Sequence, residues 1–126
     1  MYPNMGTYNV RDDLVRLHEI RAALLEMQGS LSLAQLVALA TVAIEPGLSV
    51  NELADRLKIP QQTASRHVAI LTGRYQSDLA DAPLEALVMQ QINETDPRRR
   101  ALYLTEEGHA LVAILTGTQP MKEKQA

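Results

Sequence analysis

Residues 96–108, Asp-Pro-Arg-Arg-Arg-Ala-Leu-Tyr-Leu-Thr-Glu-Glu-Gly, set a turn, a short apolar strand and a helix start in direct succession. Residues 93–97 carry turn chemistry, the segment 99–104 reads as a return strand, and 87–92 reads as the strand that precedes it. Thr105 is a good cap for a last helix over 106–115, where Glu106 and Glu107 suit the positive end of the helix dipole. This stretch commits the chain to a hairpin as well as to helices.

Composition limits the rest. With 126 residues and 46% hydrophobic content, the chain suits one domain with a single core. Aromatic residues make up 3%, all of them Tyr, so Leu, Val, Ile, Ala and Met must fill that core, which favours helices. The absence of cysteine removes disulfides, thiolate nucleophiles, thiol redox sensing and cysteine-ligated zinc. The first ten residues have no basic flank or continuous apolar run, and no stretch approaches the ~20 apolar residues of a membrane span. A soluble, cytoplasmic protein without membrane contact is expected.

Residues 11–28 read as a helix capped by Asn9 and stopped by Gly29. Leu14, Leu17, Leu24 and Met27 form one apolar stripe, while Val15, His18, Ala22 and Leu25 lie on a second. The second stripe fits either a partner helix from another subunit or a wide face buried within one chain. Ser32 caps a nearly all-apolar helix over 33–44, which Glu45-Pro46-Gly47 ends. Ser49 caps a third helix, with Glu52 placed to close a capping box and Leu53, Ala54 and Leu57 facing inward. Lys58-Ile59-Pro60 is a short break, with Ile59 plugging the turn and Pro60 suited to the first turn of a helix running from 61 to 71 or 72, before Gly73. Ala64, Val68 and Leu71 point that helix inward, leaving Gln61, Gln62, Ser65, Arg66 and Ala69 outside. Residues 74–86 have no period and read as a loop, and 117–126 as a frayed tail.

This order is mainly α with a small β-hairpin: a winged helix-turn-helix over 31–105, flanked by N- and C-terminal dimerisation helices within 1–30 and 106–126. The net charge of -3 argues against nucleic acid only as a whole-chain number. Residues 56–74 hold Arg56, Lys58, Arg66 and Arg74 with no acid among them, and Arg98, Arg99 and Arg100 form a second basic cluster. A three-turn helix can enter the major groove, where Gln61 and Gln62 pair with adenine, Arg66 with guanine or phosphate, and Thr63 and Ser65 with bases or phosphates. His67 sits nearer the side of that helix, where structural and functional roles are both open. Arg98, oriented by Asp96, is the residue placed to enter the minor groove from the hairpin, with Arg99 and Arg100 on phosphates. A solvated basic face and a turn that merely solubilises the hairpin are the plainer alternatives.

Three groups of residues give the chain a resemblance to the MarR family of bacterial transcription regulators. They are Ser-Val-Asn-Glu-Leu-Ala-Asp-Arg-Leu from Ser49, the 59–71 segment with Thr63 and Ser65-Arg66, and Asp96-x-Arg98 followed by Leu104-Thr105-x-x-Gly108. The resemblance implies a homodimer that reads a palindromic operator in double-stranded DNA, often as a repressor released by a small-molecule effector. The chain departs from the family pattern in its long 74–86 link and its short C-terminal helical region. A winged-helix module that binds a protein partner, as an anti-repressor or adaptor, is the alternative function. No enzyme, cofactor or metal site is expected: His18-Glu19 lacks a second histidine at 22, where Ala22 stands, and His18, His67 and His109 lie on separate elements.

Overall fold

The computed structural model describes residues 10–73, 85–92, 94–96 and 99–118. Its elements run α1 (Val10–Met27), α2 (Leu33–Ile44), α3 (Val50–Leu57), α4 (Gln61–Leu71), β1 (Val88–Ile92), β2 (Arg100–Leu104) and α5 (Glu106–Thr116). The expected Asn9 cap, most of the 74–86 loop and most of the C-terminal tail lie outside the described residues.

Side chains start the central helices by supplying the acceptors that first-turn N–H groups lack. Ser49 Oγ accepts from Glu52 N at 3.1 Å, and Glu52 Oε1 accepts in return from Ser49 N at 2.9 Å. The same reciprocal box opens α2: Gln35 N donates to Ser32 Oγ at 3.2 Å and Ser32 N to Gln35 Oε1 at 2.9 Å, which gives the side-chain oxygen of the buried Gln35 a donor. Such caps each contribute about 0.5–2 kcal/mol. Between α3 and α4, Lys58 takes the left-handed conformation (φ 57°) and Ile59 N bonds back to Ala54 O at 3.1 Å, turning the chain sharply. Pro60 is the N-cap of α4 and not part of its first turn. Its missing N–H is harmless there, and its carbonyl accepts from Ala64 N at 3.1 Å.

The core joins all three helices of this unit to the hairpin. Leu39, Val42, Leu53, Val68, Leu71, Val88 and Leu102 are fully buried. β1 and β2 pair antiparallel, with Val88 opposite Leu104 and Ile92 opposite Arg100. β2 is also held on its other side, because Leu102 N donates to Leu48 O and Leu102 O accepts from Gly47 N, both at 2.8 Å. β1 starts one residue later than the pattern suggests because the Leu87 amide goes to Leu71 O at 2.8 Å. β2 likewise starts at Arg100, since Arg99 N closes a turn on Asp96 O at 2.8 Å.

Of the two apolar stripes read on α1, only Met27 packs against the core among the described residues. Ala23 and Met27 pack inward and Ile20 is half-buried, whereas Leu14, Val15 and Leu17 are each more than half exposed and Leu24 and Leu25 are also open. Among the described residues, a wide face buried within the chain is therefore not what these leucines form. The helix is tied to α5 by Arg16, whose Nη2 donates to Thr116 O at 2.9 Å, where Gly117 ends α5 with φ 78°. A cation at that position complements the negative end of the helix. No described helix is long and apolar enough to cross a membrane.

Candidate nucleic-acid interface

Ala64, Val68 and Leu71 seat α4 in the core, and the helical period then turns Gln61, Gln62, Ser65 and Arg66 outward, all four exposed. Thr63 and Ala69 are half-buried at the edges of this face. A groove of about 520 Å³ runs between the N-terminus of α3, the start of α4 and the hairpin. Ser49, Asn51, Gln61, Ser65, Gln90 and Arg100 line it together with Asp96 and Arg99. Residues far apart in sequence thus meet on one polar surface. Of the expected contact residues, Gln61, Ser65, Arg99 and Arg100 border the groove, Gln62 and Arg66 are exposed on α4, and Arg98 lies outside the described residues.

Two arginines that look available in the sequence are held by carboxylates from elsewhere in the chain. Arg56 Nε donates to both oxygens of Glu45 at 3.0 Å. Arg99 Nη2 donates to Glu52 Oε1 at 2.8 Å and makes a longer contact, 3.4 Å, with Gly47 O. The acid-free run from 56 to 74 is thus partly neutralised from outside itself. Nothing local signals these pairs, because the partners lie 11 and 47 residues away.

The Arg99 guanidinium, and then the Ser49 amide, hold the Glu52 carboxyl down at about 2, against an ordinary value of 4.5. A carboxyl lowered on folding contributes stability that is complete above about 4.5 and is lost as the pH falls through about 2. A carbon-detected NMR titration of Glu52 is expected to show a midpoint near 2; a midpoint near 4.5 would mean that the pair does not form in solution. His67 is half-buried, and its Nδ1 has no hydrogen-bond partner. Burial, and secondarily the Arg66 charge, lower its pKa, so the imidazole adds no positive charge to the surface at neutral pH. His18 and His109 are exposed, and the described residues contain no cluster of three or more potential metal ligands.

The MarR family model matches residues 30–74. A comparison with curated protein sequences gives no match. Among solved structures, the chain is similar to S. aureus MepR in its DNA complex, at 19% identity and a TM-score of 0.61 over 93% of this chain and 88% of that one. It is similar to MarR at 20% identity and a TM-score of 0.58, over 98% and 80% of the two chains. It is also similar to the PcaV regulator of Streptomyces coelicolor, solved with its natural ligand, at 22% identity and a TM-score of 0.55 over 99% and 82%. Sequence across the helix-turn-helix is similar to the MarR family, and the fold across the chain is the winged helix-turn-helix of these solved structures.

Proposed function

We propose that the chain is a sequence-specific DNA-binding repressor that acts as a homodimer on a palindromic operator. One observation carries the reading: the polar outer face of α4 and the base of the hairpin border the same groove. A helix seated in the major groove would present Gln61 and Gln62 to adenine and Arg66 to guanine or phosphate, with Thr63 and Ser65 as shorter-range contacts. Arg100 would contact phosphate, and Arg98, assigned from the sequence, the minor groove. A solved relative in the same fold, MepR, is itself in complex with DNA. The exposed leucines of α1 supply an apolar surface for a second copy, whose two-fold axis would repeat the half-site. A cavity of about 600 Å³ between the end of α1, the start of β1 and α5, lined in part by Met27, Leu87, Leu111 and Ile114, is where a small-molecule effector would fit.

Selecting bound fragments from genomic DNA with the purified protein tests the reading directly, and a palindromic consensus is expected. On a selected fragment, Arg66→Ala and Gln61→Ala should each weaken binding by roughly 10- to 100-fold, the effect of about 1–3 kcal/mol per base contact. Affinity should fall steeply with salt. Unchanged binding in both Arg66→Ala and Arg98→Ala would sink the proposal. A second reading, a module that binds a protein partner, draws on another exposed apolar stripe, Leu33, Val37 and Ile44 on α2. It predicts a co-purifying partner and no DNA retardation even at low salt.

A further inference from the structure

We propose that Arg99 is a positioning residue, whose ion pair with Glu52 clamps the hairpin to α3 and so sets the wing's place relative to the recognition helix. The inference rests on the DNA-binding reading for its consequence, while its geometry stands independently. Arg99 lies where the chain leaves the hairpin turn, its amide bonded to Asp96 O at 2.8 Å. Its guanidinium reaches away from the turn to Glu52 Oε1 at 2.8 Å and toward Gly47 O at 3.4 Å. That carboxylate oxygen also accepts the Ser49 amide at 2.9 Å, so one atom closes the N-terminus of α3 and holds the hairpin. Both side chains are 38% exposed, which leaves the pair partly shielded from solvent. Gly47 and Leu48 are in turn bonded to Leu102, three residues further along β2 from Arg99. The hairpin is thus fastened to the α2–α3 connection by backbone at its base and by the clamp nearer its tip.

This role and a phosphate contact by Arg99 predict effects of opposite sign. Glu52→Gln keeps a capping-box residue at the third helical position and removes one negative charge from the groove side. If Arg99 met phosphate, the change would release it and tighten DNA binding. If Arg99 is a clamp, the docked wing becomes only fractionally populated, and apparent affinity drops by that fraction, roughly three- to tenfold. Arg99→Gln should weaken binding by the same factor and leave the slope of log affinity against log salt unchanged; a lost phosphate contact would lower it by about 0.9. The double variant Glu52→Gln/Arg99→Gln should be no worse than either single one.

The measurements use the full chain and a fragment it selects from genomic DNA, with amide hydrogen exchange on the free protein as a DNA-independent readout. Exchange at residues 90–92 and 100–101 should quicken several-fold in both single variants, while Leu53 and Leu39 in the core stay protected. Tighter binding by Glu52→Gln, or unchanged exchange at the hairpin in both variants, would overturn the clamp. If the wild-type chain selects no fragment, the DNA-binding reading fails and the exchange data alone decide the clamp.

Discussion

Gly108→Ala is expected to destabilise the fold by about 2–4 kcal/mol, a large effect for the addition of one methyl group. Gly108 is needed for space, not for backbone freedom, because its φ lies outside the left-handed region. A Cβ there would overlap the Leu87 carbonyl oxygen and stand 3.3 Å from Leu104 Cβ. Leu87 cannot step aside easily: its amide donates to Leu71 O at 2.8 Å and its carbonyl accepts from Thr105 N at 3.0 Å. Thr105 adds a further pair of bonds, its Oγ1 donating to Ala86 O at 2.7 Å and accepting from Gly108 N at 3.0 Å. The only relief is for α5 to lift from the start of β1. Overpacking costs about 1–3 kcal/mol, and each net hydrogen bond lost about 0.5–1.5 kcal/mol. The better helix propensity of alanine returns about 1 kcal/mol. Urea denaturation should show the loss as a lower midpoint, with Gly29→Ala, where the new Cβ has nothing within 4 Å, as the control. Equal midpoints for Gly108→Ala and wild type would mean that α5 does not dock in this way.

The same residues show what could be read before the fold was known. Leu104-Thr105-x-x-Gly108 was legible as a helix start, since Thr105 caps by local chemistry; the reason for Gly108 was not, because its obstacle is a carbonyl 21 residues earlier. The bounds of α2 were legible for a similar reason, with a serine before the helix and Pro46-Gly47 after it. Its capping box was missed because the closing residue is Gln35, inside an apolar run. On α1, periodicity counts apolar positions but cannot say which stripe faces the chain's own core. Leucines dominate the pattern, yet Ala23 and Met27 do the packing against the core, with Ile20 half-buried beside them in sequence. The outward face of α4 was readable, since three buried positions determine the rest. The state of Arg56 and Arg99 was not, because charge counted along a segment ignores acids that folding brings to it.

Leu102→Ala is expected to cost about 3–4 kcal/mol, whereas Ile92→Ala should stay within about 0.5 kcal/mol of wild type. Leu102 is completely buried, and its backbone bonds Gly47 and Leu48 on the side of β2 away from β1. The strand cannot move inward to fill the space left by the lost side chain without breaking those bonds, so most of the cavity persists. Ile92, at the far end of β1 and 63% exposed, has little to lose. Thermal or urea unfolding of the two variants measures this gradient along the hairpin, and similar losses at both positions would show that it is stabilised along its whole length. The gradient also bears on function. If the base of the hairpin carries its stability, substitutions beyond Ile92 leave the fold intact, and a loss of DNA binding in Arg98→Ala or Arg100→Ala reports a lost contact, not an unfolded domain.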